Sequence, residues 1–186
     1  MNQDIMRKNR NVPLDDYDRR LLTALQRDAT VTAEILGSEI GLSASTIQRR
    51  IKRLRETGVI EREVAIVNTD AIGKRMTFIV GVKVDYGQKA GVDALQKRLL
   101  ADPRTQQAYT VTGEVDLMLV VVVQDMQDYD DYSKALLLSS SAMLRFQSNV
   151  VIEGLRVGLE ISVELGAATI PDAKPATRAK SARRFM

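Results

Sequence analysis

The sequence predicts an α+β protein in two parts. Three short helices in a helix-turn-helix arrangement come first, and a β-α-β-β-α-β run follows. Three observations carry this. Apolar residues recur at helical spacing as far as Gly58. A Gly41-Leu42-Ser43 turn joins two of those helical stretches. From Met76 the pattern changes to strand-like apolar runs alternating with two helical stretches.

The stretch "LDDYDRRLLTALQRDAT" opens a helix at Asp15 and ends it near Asp28. Asp15 and Asp18 place carboxylates at the N-cap and first turn, where the helix dipole favours them. Leu21, Leu22 and Leu25 give its apolar spacing. Thr32 caps a second helix, "AEILGSEI", with Ile35, Leu36 and Ile40 as its stripe. Gly37 inside it costs about 1 kcal/mol of helix propensity against Ala, which points to the close approach of another helix. Gly41 suits the left-handed residue that ends a helix, and Ser43 caps the third.

That third helix carries Arg49, Arg50, Lys52, Arg53 and Arg55. Ile47, Ile51 and Leu54 share one face, and Ser45, Arg49, Lys52 and Arg53 fall opposite. Gln48 and Arg55 flank one side, Thr46 and Arg50 the other. A charge run alone is most often a solvated face. Placed on the second helix of a helix-turn-helix, it becomes a candidate duplex-DNA surface. Ser43, Ser45, Thr46, Gln48 and Arg49 stand at the end that meets base edges. Lys52 and Arg53 lie further along, where phosphate contact is expected. Arg50 sits nearer the core and has two readings, an internal carboxylate partner or a DNA contact. After Gly58, "IEREVAIV" alternates like a strand and would form part of a wing.

In the second part "MTFIVGVKVD" reads as a strand and "KAGVDALQKRLLAD" as a helix with Val92, Leu95 and Leu99 inward. "RTQQAYTVTG" and "VDLMLVVVVQD" read as two strands joined at Gly113, and "MQDYDDYSKALLLSS" as a helix. "MLRFQSNVVIEGLRVGLEISVEL" supplies at least one more long strand. This order is the ferredoxin-like split unit, with two helices on one face of a four-stranded antiparallel sheet. The apolar residues on both faces of "LMLVVVV" call for a second cover, and a homodimer through the sheets provides it.

Bulk composition narrows the function. The chain has 186 residues, with no Cys and no His. Disulfides and thiolate metal sites are excluded, and metal-dependent or His-based catalysis is disfavoured. The basic excess sits at the two ends, while the middle is net acidic, so a nucleic-acid contact should avoid the middle. The N-terminus lacks a signal-peptide core, and the longest apolar run is too short for a bilayer, which fits a cytoplasmic protein away from membranes.

"LDDYDRRLLTALQRDA", "GLSASTIQRRIKRLRETGVIE", "TGEVDLMLVV" and "VVIEGLRVG" together resemble the leucine-responsive regulatory protein/AsnC, or feast/famine, family of transcription regulators. The resemblance runs from about Leu14 to Val163. It implies a winged helix-turn-helix joined to a ferredoxin-like effector domain, the RAM domain. The implied organisation is an N-terminal arm over 1–13, a DNA-binding domain over 14–62, a linker strand or hinge over 63–75, a RAM domain over 76–165 and a basic disordered tail over 166–186.

The family further implies dimers that assemble to tetramers or octamers, and a small effector, usually an amino acid, bound between RAM domains. The matching loop is Thr112, Gly113, Glu114, Val115 and Asp116. Its backbone N–H groups would take the ligand carboxylate, and Glu114 or Asp116 its ammonium. The same composition is also that of a plain hairpin turn. Gly37 stands where the family usually has Ala. No cofactor, metal or catalytic residue is implied. The expectation is therefore a sequence-specific, amino-acid-responsive transcription regulator. An architectural DNA-organising protein without a ligand is the alternative. A siroheme-decarboxylase-like enzyme is disfavoured by the missing His.

Overall fold

The computed structural model describes residues 12–163 except 70 and 74. Most of the expected N-terminal arm and the whole basic tail lie outside the described residues. The described residues form two compact units, one of 12–64 with 159–163 and one of 65–158.

The first unit is built from α1 (Asp16–Arg27), α2 (Ala33–Ile40) and α3 (Ala44–Glu56). The Asp15 carboxylate accepts the Asp18 N–H, and Asp18 accepts the Asp15 N–H in return, a reciprocal box that satisfies two orphan donors of α1. Thr32 and Ser43 cap α2 and α3 as expected. Gly41 lies at φ 84°, the left-handed conformation that turns α2 into α3. Leu21, Leu22, Leu36, Ile40, Ile47 and Leu54 form the core. Ile35, expected in the α2 stripe, is 52% exposed.

Gly37 does meet close neighbours, the turn first and then the start of α3, whose Ala44 N lies 3.5 Å from where a Cβ would sit. A Cβ there would lie 2.5 Å from the Leu42 carbonyl oxygen, so the tight turn itself requires the missing side chain. Late in the chain, residues 159–163 return to this unit. Arg19 donates to the Val163 carbonyl at 2.9 Å, and Gln26 exchanges two hydrogen bonds with the Ile161 backbone.

The second unit runs β1 (Met76–Val84), α4 (Lys89–Ala101), β2 (Thr105–Thr110), β3 (Leu117–Val123), α5 (Met126–Tyr132) and β4 (Met143–Val150). A short 3-10 turn precedes α4, and α5 continues as a π-helical turn over Ser133–Leu138. The sheet order is β2-β3-β1-β4, with every neighbouring pair antiparallel. Phe78, Val80, Val82 and Val84 of β1 and Leu117, Leu119, Val121 and Val123 of β3 point to one face, where Val92, Leu95, Leu99, Tyr132 and Leu137 cover them. The buried Tyr132 hydroxyl pairs with Thr105 at 2.9 Å, which satisfies its one polar atom in the core. The other face pairs Ile79 with Val120 and Gly81 with Met118, and among the described residues of this unit no helix packs on it.

One expectation fails. The "IEREVAIV" strand is not formed, since residues 61–69 are exposed and join no ladder. A strand is stable only where its backbone groups find a neighbour, and alternation cannot supply one. The last stretch does supply its long strand, β4, which ends at Val150. Ile152, Leu155 and Val157 are each at least 88% exposed. No described helix is long and apolar enough to cross a membrane.

Candidate nucleic-acid interface and ligand loop

The end of α3 that follows the turn is rich in hydroxyls. Ser43 accepts the Thr46 N–H at 3.3 Å, and its Oγ pairs with Thr46 Oγ1 at 2.8 Å and with Ser45 Oγ at 3.2 Å. Ser45, Gln48, Arg49 and Lys52 are exposed, while Ile47 and Leu54 on the opposite face are fully buried. The helix is therefore anchored by its apolar edge and presents a polar one.

The five cations of α3 are not equivalent. Arg50 Nη1 donates to Asp15 Oδ2 and to Asp18 Oδ1, both at 2.8 Å. Its guanidinium also lies 5.5 Å from the centre of the Tyr17 ring, within cation–π range. Arg53 Nη2 donates to Asp18 Oδ2. Arg55 donates to Glu63 through both Nε and Nη2. Lys52 faces Glu56 at 3.8 Å across one exposed helical turn, a contact worth little in water. Among the described residues Arg49 makes no ion pair or side-chain hydrogen bond.

Asp18 is the centre of this arrangement. It is 1% exposed and takes both Arg50 and Arg53. Asp15, half exposed, has its carboxyl held below the usual range, first by the Asp18 N–H and then by Arg50. Of the two readings for Arg50, the internal carboxylate partner is the one observed. Arg53, expected on the free face, is turned toward α1. Its long side chain lets the guanidinium reach the Asp18 carboxylate.

The Thr112–Asp116 loop joins β2 and β3. Gly113 has φ 123° with open space where a Cβ would sit, so backbone conformation rather than close approach demands glycine. Thr112 and Glu114 are exposed. Val115 is half-buried, with a methyl 3.0 Å from where a Gly81 Cβ would sit. The buried Asp116 accepts the Val84 N–H at 2.9 Å and Lys83 Nζ at 3.1 Å, and these hold its carboxyl below the usual range. Asp116 thus fastens the loop to β1, leaving Glu114 as the loop's exposed carboxylate. A shallow cavity of about 380 Å³ lies at the other end of the sheet, lined by Arg75, Arg104, Gln106, Gln124 and Asp128 among others, and the loop takes no part in it. No cluster of metal-ligating side chains occurs among the described residues.

The partners that sequence reading missed are Asp15 and Asp18 for the arginines, and Lys83 for Asp116. Each pair is separated by more than thirty residues, so no local spacing rule could connect them.

Two family models match the chain. One describes an AsnC-type helix-turn-helix domain and covers residues 14–55, and the other describes the Lrp/AsnC ligand binding domain and covers 77–157. A helix-turn-helix transcriptional regulator, y4tD, from Sinorhizobium fredii is 32% identical over 82% of this chain and 90% of its own. The transcriptional regulator AzlB of Bacillus subtilis is 28% identical over 86% of this chain and 96% of its own. Among solved structures, an AsnC family transcriptional regulator from Agrobacterium tumefaciens is 27% identical with a TM-score of 0.74, covering 80% of this chain and 96% of its own.

Proposed function

This chain belongs to the Lrp/AsnC family of transcription regulators, and from that premise we propose that it recognises duplex DNA through α3 under the control of a small effector. Ser45, Gln48 and Arg49 read base edges, and Lys52 meets phosphate. Arg offers guanine a bidentate pair, and Gln does the same for adenine. The observation that carries the reading is the state of Arg49, an exposed guanidinium without an ion-pair partner among the described residues, on the polar side of a helix anchored by Ile47 and Leu54. Arg50, Arg53 and Arg55 of the same helix each face a carboxylate instead.

The effector in this reading is an amino acid held at the Thr112–Asp116 loop, with loop N–H groups on its carboxylate and Glu114 on its ammonium. A second copy of the chain completes the site, because the loop by itself encloses no cavity. The same second copy covers the helix-free face of the sheet and gives a cytoplasmic dimer with paired recognition helices about one DNA turn apart.

The test is a gel shift against the chain's own upstream DNA, run with and without each common amino acid. Discrete shifted bands whose pattern changes with one amino acid support the proposal. Broad coating of any duplex, unchanged by every amino acid, would favour an architectural role instead.

A further inference from the structure

The α3 cations fall into two sets, and two aspartates of α1 make the division. Asp15, Asp18, Arg50 and Arg53 carry charges that cancel. Asp18 is almost fully enclosed, and its two oxygens are taken by two guanidiniums and one backbone N–H. Moving either arginine out to phosphate would leave a buried carboxylate with a single cationic partner, which is costly in a site shielded from water. Arg50 is further fixed by Asp15 and the Tyr17 ring. Arg49 and Lys52 face no such competition.

We infer that Asp18 is a specificity-determining positioning residue, which holds Arg50 and Arg53 against α1 and so withholds two positive charges of the recognition helix from the DNA backbone. The inference rests on the reading of α3 as the helix that enters DNA. Its consequence is for selectivity. Phosphate contacts strengthen binding to every sequence alike, so each cation withheld weakens non-specific binding and leaves base readout in place. A helix with five basic residues thereby meets phosphate with far fewer.

Salt dependence reads this directly. Each phosphate neutralised adds about 0.9 to the slope of log affinity against log salt, which is roughly a three- to fourfold loss of affinity between 50 and 200 mM. The purified full chain is titrated by fluorescence anisotropy against a random-sequence duplex three helical turns long, over a range of KCl. Lys52→Gln should flatten the slope by about one contact per subunit, while Arg53→Gln should leave it at the wild-type value. Asp18→Asn should do the reverse, steepening the slope and tightening binding to random DNA several-fold. Asp18→Asn combined with Arg53→Gln should lose that gain.

Circular dichroism shows whether Asp18→Asn still folds. If it does not, Arg53→Gln decides the matter alone, because Arg50 still satisfies Asp18 there. An Arg53→Gln slope as flat as that of Lys52→Gln overturns this inference and leaves the reading of α3 standing. Wild-type protein that ignores the duplex even at low salt overturns the reading of α3 itself.

Discussion

Arg49 and Gly37 show how much a single position can decide. Arg49→Ala should weaken binding to the chain's specific site by about 1–3 kcal/mol, the usual worth of a bidentate base contact, and weaken random DNA much less. Competition gel shifts measure both, and equal losses would mean that Arg49 touches only phosphate. At Gly37 two effects oppose one another. Alanine gains about 1 kcal/mol of helix propensity. Against that, its Cβ would press on the Leu42 carbonyl at 2.5 Å, and backbone cannot step aside cheaply. The contact should win, so Gly37→Ala should lower the melting temperature of the first unit. An unchanged or raised value would show that the turn relaxes.

At the scale of elements, the β1–β3 pair and the Arg104 junction carry the second unit. Leu119 is fully buried between the sheet and its helices, so Leu119→Ala should destabilise by about 2–5 kcal/mol in denaturant titration. Arg104 joins the end of α4 to α5 by hydrogen-bonding Asp102 at 2.7 Å and Asp128 at 3.0 Å. Arg104 holds the Asp102 carboxyl below its ordinary value. The Gln124 N–H, and then Arg104, do the same for Asp128. A carboxyl depressed in the fold stabilises fully above its unfolded value of about 3.9, and that stabilisation is lost as the pH falls through the lower folded value. Thermal melts of the wild type should therefore drop on acidification below about pH 4. Arg104→Met should be less stable at neutral pH and show a shallower acid drop. An identical acid slope in the two proteins would remove the junction from the account.

For the whole molecule, the open sheet face and the exposed apolar residues at 152, 155 and 157 need cover. A surface of that kind on one chain is ordinarily an interface. The proposed dimer would supply it, and would also give the strand-like runs at 61–67 and 152–160, which join no ladder among the described residues, a neighbour. Sedimentation velocity should find the wild type as a dimer or larger. Val120→Lys, in the open face beside Ile79, should yield a folded monomer. A wild type that sediments as a monomer would end the dimer proposal.

The sequence alone determined every element whose signals are local. The caps at Asp15, Thr32 and Ser43, the left-handed Gly41, the inward residues of β1 and α4, and the βαββαβ order could all be read from neighbouring residues, because capping, periodicity and turn chemistry act over a few positions. Tertiary structure decided what depends on distant partners. It pinned Arg50 and Arg53 to α1, fastened Asp116 to β1, ended β4 at Val150 and kept 60–67 out of the sheet. A side chain's charge is written in the sequence, but the carboxylate that neutralises it is chosen by the fold. Likewise a strand's alternation is local, while its hydrogen-bonding neighbour is not.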